Sequence, residues 1–207
     1  WPSIEQKMKK AGLEVKAYIT ERVGHGAEIS NSIRHRWEVS GDGGESDGKP
    51  PVVVAVGGDG IAHEVASGLR GSELVLAQLP HGSGNDYAIT HGIPRTNIDG
   101  AINIIAHGVD RQCGAWRLEG HPCREEGGYP APQANPWDGE PENDDTVVRW
   151  VFLETDAGIT SDISRAKLRR AKWIRGPKKY TYLGVTSIPF WPRRKVEMVV
   201  DDAIARF

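Results

Sequence analysis

Two glycine-rich tetrapeptides, Gly57-Gly58-Asp59-Gly60 and Gly82-Ser83-Gly84-Asn85, are the stretches of this chain best suited to chemistry. The first closes the run "VVVAV" and leads straight into a helical stretch at residues 62–69, which places a glycine-permitted turn just before free helical N–H groups. Those donors and the positive end of the helix suit a phosphate. The second turn follows the next apolar run, "ELVLAQL", and adds a hydroxyl at Ser83. Asp-Gly is also ordinary turn chemistry, so either tetrapeptide alone leaves a plain corner open. Neither is a P-loop, because no G-x-x-x-x-G-K-[ST] occurs and no lysine sits in either turn; neither is a G-x-G-x-x-G fingerprint, since Gly84 runs into Asn85 and Asp86.

The elements that must position these turns follow from periodicity. "SIEQKMKKAG" carries Ile4, Met8 and Ala11 at helical spacing behind Pro2 and ahead of a Gly12 stop. "LEVKAYI" alternates as a strand, "AEISNSIRHRWEV" reads as a helix, and "SGDGGESDGKPP" as a surface loop. Residues 52–56 suit a parallel strand covered on both faces. With a further helix over residues 98–107, strands alternate with helices, which predicts an α/β, doubly wound parallel-sheet nucleotide-binding domain over residues 1–113. Both glycine turns then fall at the carboxyl edge of the sheet, where such folds bind ligands.

Beyond Gly114 the strands "AWRLEG", "VVRWVFLET" and "VEMVV", with helical "ISRAKLRRAKWI" and "YTYLGVTSI" between them, predict a partial, strand-richer substrate domain over residues 114–207. Residues 119–146 interrupt it with five prolines, four glycines and eight acids against one arginine. That composition buries too little apolar surface to order itself, so a mobile acidic surface insertion is expected.

The 207 residues suffice for a real core, and a net charge of −2 gives no global drive toward nucleic acid, which we do not expect as a partner. Cys113 and Cys123 lack zinc-site spacing, and no group of metal-ligating side chains stands out. They fit a reduced, cytoplasmic setting. No leader or membrane-spanning run is evident. The start at Trp1 and the strand-like end lead us to expect a fragment of a longer protein.

"VVVAVGGDGIAHEVASGL" followed by "LPHGSGNDYAITHGIP" resembles the paired signature of the diacylglycerol kinase catalytic domain family, which includes bacterial lipid kinases and sphingosine and ceramide kinases. The resemblance is strongest over residues 52–94 and fainter through most of the remaining chain. It implies a nucleotide domain shared with NAD kinases and followed by the start of a β-sandwich. It further implies ATP and Mg²⁺ as cofactors, with ATP phosphates at Gly57, Gly58, Asp59, Gly60, Ile61, Ala62 and His63. Gly82, Ser83, Gly84 and Asn85 lie near the nucleotide in that comparison, joined by Thr20 from "AYITERVGHGAE".

Asp59 is implied as the catalytic base toward the acceptor hydroxyl in sphingosine-kinase-like members, whereas bacterial members take the base from a downstream D-G-E segment. Ile61 stands where many members carry threonine, "GDG-aliphatic-x-H-E" is sphingosine-kinase-like, and Asp86 restores the "GND" of the diacylglycerol type. The family's opening strand with its "NPxSG" turn and its D-G-E segment find no counterpart here, which points to an incomplete catalytic unit.

The expected function is an ATP-dependent lipid kinase that phosphorylates a hydroxyl of diacylglycerol or a sphingoid lipid. The alternatives are a NAD kinase and a catalytically incomplete nucleotide-binding protein. Eight lysines and arginines over residues 165–179, with Trp173 among them, read first as a solvated helix face, and as an alternative would let the chain lie peripherally on an anionic membrane. His63 and Glu64 are candidates to assist at the phosphates, though an exposed helix face explains both equally well.

Overall fold

The computed structural model describes residues 1–40, 50–120, 138–141, 143–154, 163, 174, 178–191, 197–200 and 203–206. Helix α1, Pro2–Lys10, starts with proline in its first turn, where the missing N–H costs nothing, and ends before Gly12, whose φ of +81° an L side chain rarely adopts. Helix α2 spans His25–Ser40. Strand β1, Val52–Gly57, leads into helix α3, Asp59–Leu69; strand β2, Val75–Pro80, leads to the short helix α4, Asp86–Thr90, and then to α5, Ile98–His107.

β1 and β2 pair in parallel, in a register that runs from Val52 opposite Val75 to Gly57 opposite Pro80. Both strands therefore end level, and the turn after each emerges at the same edge. Side chains alternate across this pair with period two. Val54, Val56 and Leu79 face a core that holds Met8 of α1, Ala88 of α4, and Ala101 and Ile102 of α5. Val53, Ala55 and Leu76 face Ala62, Val65 and Leu69 of α3 and Ile33 and Trp37 of α2. Helices thus cover both faces of the pair, as the unbroken apolar run of β1 requires. Leu79 is fully buried, a burial worth roughly 1.5–3 kcal/mol.

α2 and α3 meet through small residues. A Cβ on Gly68 would stand 2.1 Å from Ser30 Oγ and 2.4 Å from the Ala27 carbonyl oxygen, so the helix backbones approach as closely as they do only because this position is glycine.

Residues 13–19, where alternation predicts a strand, join no ladder among the described residues. Leu13 and Val15 still pack on the first core. Residues 14–20 and 51–56 are among those that line a trough of about 710 Å³.

Strands β3, Trp116–Gly120, and β4, Val147–Val151, form an antiparallel pair that brackets the acidic insertion. The insertion itself lies mostly outside the described residues. Its described ends are tied: Glu119 accepts from the Thr146 hydroxyl at 2.5 Å, and buried Asp138 pairs with Arg149 at 2.8 Å. Contacts divide the chain into two compact units, Trp1–Glu154 and Thr155–Phe207. The second holds helix α6, Lys178–Ser187, with Leu183 buried, a 3₁₀ turn at Ile188–Phe190, and the antiparallel strands β5, Glu197–Val200, and β6, Ala203–Arg206. The helical reading of "ISRAKLRRAKWI", and most of the basic stretch, lie outside the described residues. No described helix is long and apolar enough to cross a membrane.

Candidate active site

The level ends of β1 and β2 bring the two glycine turns into backbone contact. A Cβ on Gly82 would stand 2.4 Å from Gly58 Cα, and one on Gly58 would stand 3.1 Å from Gly82 Cα. These glycines exist to let turn pack on turn. The Gly57 carbonyl accepts from the His81 N–H at 2.9 Å and from Gln78 Nε2 at 3.1 Å, which locks the end of β1 to the second turn. Beside Gly57 the space is filled by Ile61, whose Cγ2 would meet a Cβ there at 2.5 Å. Gly60 differs from all of these, because a Cβ on it would meet nothing within 4 Å among the described residues.

The second turn is built around Asn85. Its side chain is buried and wholly engaged with Gly82: Oδ1 accepts from the Gly82 N–H at 2.8 Å, and Nδ2 donates to the Gly82 carbonyl at 3.1 Å. Its backbone lies in the left-handed region at φ 59°, ψ 38°, which asparagine tolerates better than most residues. Arg95 donates to the Ser83 carbonyl at 2.9 Å and so brings a cation to this turn.

Asp59 spans the two turns. Its Oδ2 accepts from the Asn85 N–H and its Oδ1 from the Tyr87 N–H, each at 2.9 Å, so a carboxylate from α3 closes the start of α4. A carboxylate has about four acceptor positions, so two backbone bonds leave Asp59 able to accept more. Asp86 comes close as well: a Cβ on Gly84 would stand 2.8 Å from Asp86 Oδ2 and 2.9 Å from Asp59 Oδ2. Glu64, one turn further along α3, accepts from the N–H groups of Gly24 at 2.9 Å and Gly26 at 3.0 Å and thereby closes the start of α2. The start of α3 itself has Gly58 as N-cap and no side-chain cap. Among the described residues, two of these three helix starts are filled by the chain's own carboxylates, and no side chain bonds the third.

The structure brings Gly57, Gly58, Asp59, Gly60, Ile61, Gly82, Ser83, Gly84 and Asn85 together at one edge. Ala62 is fully buried, so only its backbone is available there. His63 turns toward the region after β4, where its ring meets Phe152 edge-on at 5.6 Å; partial desolvation lowers its affinity for a proton below that of an ordinary histidine. Thr20 lines the trough with Gly26 and Ile61, beside the first turn rather than within it. Sequence reading missed the anchoring by Glu64 and the docking of Arg95. Acid spacing on α3 could have pointed to Glu64, but nothing in the sequence shows which backbone a distant carboxylate will cap.

Among the described residues, no three His, Cys, Asp or Glu side chains gather as a metal site. Mg²⁺ requires no such cluster, because it binds through substrate phosphates, waters and one or two carboxylates. Asp59 and Asp86 are the carboxylates at hand.

The sequence profile of the diacylglycerol kinase catalytic domain matches residues 1–117. A "Diacylglycerol kinase" of Staphylococcus saprophyticus is 32% identical over 110 residues, which are 52% of this chain and 32% of that protein. A protein of the same name from Staphylococcus aureus strain Newman is 30% identical over 105 residues, 49% of this chain and 29% of the relative. The match spans about a third of the length of these relatives.

Proposed function

The chain belongs to the diacylglycerol kinase catalytic domain family, and from that membership we propose that it is the nucleotide-binding part of an ATP-dependent lipid kinase. The observation that carries the reading is the uncapped start of α3 beside an unobstructed Gly60. Backbone N–H groups there, with the helix dipole behind them, are placed to take phosphate oxygens. Residues 1–113 form the proposed nucleotide domain and residues 114–207 the partial substrate domain, whose relation to a β-sandwich belongs to the same proposal.

Phosphoryl transfer asks a protein for positioning and electrostatic stabilisation more than for covalent chemistry. Gly57, Gly58, Asp59, Gly60, Ile61, Ala62 and His63 supply the first wall, with His63 contributing through its backbone. Gly82, Ser83, Gly84 and Asn85 supply the second wall, and Thr20 a flank. Mg²⁺, bound through the phosphates and Asp86, would neutralise charge on the phosphates. Asp59 takes the proton from the acceptor hydroxyl through the lone pairs that its two backbone bonds leave unused. The acceptor is a hydroxyl of diacylglycerol or a sphingoid lipid. The basic stretch at residues 165–179 would hold the chain peripherally on an anionic membrane from the cytoplasmic side.

The test incubates the chain with Mg²⁺ and γ-labelled ATP against diacylglycerol, sphingosine, ceramide and NAD, while ATP binding is followed separately. Label in a lipid establishes the kinase and its acceptor class. Label in NADP overturns the lipid reading. ATP binding without labelled product leaves a nucleotide-binding protein whose catalysis needs residues outside this chain. Flotation with neutral and anionic liposomes tests the membrane contact, and indifference to lipid charge refutes it.

A further inference from the structure

Glu64 lies outside both glycine turns, yet it joins α3 to the backbone that enters α2. Its two carboxylate oxygens accept from Gly24 and Gly26, residues that stand 40 and 38 positions earlier in the chain. A helix start leaves several N–H groups unpaired, and a carboxylate placed there is favoured by both hydrogen bonding and the helix dipole. The other ties of this loop among the described residues are local: the Glu21 N–H donates to His25 Nδ1 at 3.1 Å, and Arg22 pairs with Glu28 through Nη1 and Nη2. Glu64 thus connects the loop to the helix that opens the candidate site.

We propose that Glu64 is a positioning residue that fixes one wall of the nucleotide site. The connection runs through Ile61. A Cβ on Gly26 would stand 2.6 Å from Ile61 Cδ1 and 2.9 Å from Glu64 Oε2, and the same Ile61 fills the space beside Gly57. Glu64 holds Gly26 against Ile61, Ile61 holds Gly57, and Gly57 begins the turn that presents the α3 amides. Its carboxylate also occupies the start of α2 with an internal anion, so the start of α3 is the one offered to phosphate. This inference rests on the nucleotide reading above.

The test compares the full chain with Glu64→Gln, which keeps the side-chain shape but turns an amide group toward one of the two donors, and with Glu64→Ala. ATP binding with Mg²⁺ is measured by calorimetry well below the melting temperature, and exchange of the Gly24 and Gly26 amides by NMR. Glu64→Gln is expected to weaken ATP binding about tenfold, and Glu64→Ala more, as befits hydrogen bonds to a charged group. The Gly24 and Gly26 amides should exchange slowly in the wild type and faster in both variants. Unchanged ATP affinity in folded Glu64→Gln overturns the proposal and leaves the nucleotide reading standing. Fast exchange of both amides in the wild type overturns it without any variant. A wild-type chain that binds no ATP removes the nucleotide reading and this proposal with it.

Discussion

The starts of α3 and α4 emerge side by side from the level ends of β1 and β2, and they are finished in opposite ways. α4 begins at Asp86 behind a left-handed Asn85, and Asp59 closes its first amides with both carboxylate oxygens. Among the described residues, α3 begins at Asp59 behind Gly58 with no side-chain cap, and a Cβ on Gly60 in its first turn would meet nothing within 4 Å. One start is completed internally and the other is left for something else to complete. The internally completed turn serves as scaffold for the open one, because Gly82 and Gly58 touch backbone to backbone.

The substitution expected to matter most attacks the residue that belongs to both regions. Asp59→Asn keeps one acceptor oxygen and sets an amide group against the other backbone donor. Transfer should fall by roughly 10²–10⁴-fold, the range of a lost general base. If Asp59 is the base and the scaffold tolerates the change, the ATP dissociation constant stays within a few-fold of wild type. If affinity is lost in step with turnover, Asp59 is a joint between turns and not a proton acceptor. Next in size comes Gly82→Ala, which breaks the scaffold alone. Its Cβ would meet backbone at 2.4 Å and the Asn85 side chain at 2.8 Å, neither of which can move without opening the turn. Overpacking of this kind costs roughly 1–3 kcal/mol. A thermal melt should show the loss, and ATP affinity should fall with it; an unchanged melting temperature would mean that the turns do not need their contact.

Periodicity and punctuation made much of this arrangement legible. Pro2 and Gly12 bound α1, the apolar runs marked β1 and β2, and the two tetrapeptides marked the edge where they end. What each glycine does was not legible. Gly57, Gly58 and Gly60 look equivalent in a string, but one accommodates Ile61, one accommodates Gly82, and only the third is open. That distinction depends on a contact across 24 residues. Asp59 and Glu64 read as an acidic turn and an exposed helix face for the same reason, since their four backbone partners lie at the starts of α4 and α2, far away in the sequence. The predicted strand at residues 13–19 fails for a related reason: alternation specifies a face to bury, which Leu13 and Val15 do, but not a neighbour to pair with.

Gly60→Ala sharpens the contrast from the open side and is expected to be milder. A helix gains up to about 1 kcal/mol when alanine replaces an interior glycine, and no atom stands in the way here. Stability should therefore hold or rise, while ATP affinity falls severalfold because a methyl group now stands where the phosphates approach. Unchanged affinity would move the ligand away from this turn.

The smallest effect concerns the far side of α3. Desolvation lowers the proton affinity of His63 in the folded chain, while the unfolded chain keeps the ordinary value near 6.5. Below that pH the unfolded chain takes up a proton that the folded chain resists, so stability contributed by neutral His63 is present above about pH 6.5 and is lost as the pH falls through the folded value. His63→Phe should flatten this part of the stability–pH curve while keeping a ring against Phe152. Melting curves for the two proteins between pH 7.5 and roughly 5 test it. ATP affinity at pH 7.5 should be the same in both, because the imidazole faces Phe152 and only its backbone serves the open start. A loss of affinity in His63→Phe would instead bring the side chain into the site and erase the separation between the two sides of this helix.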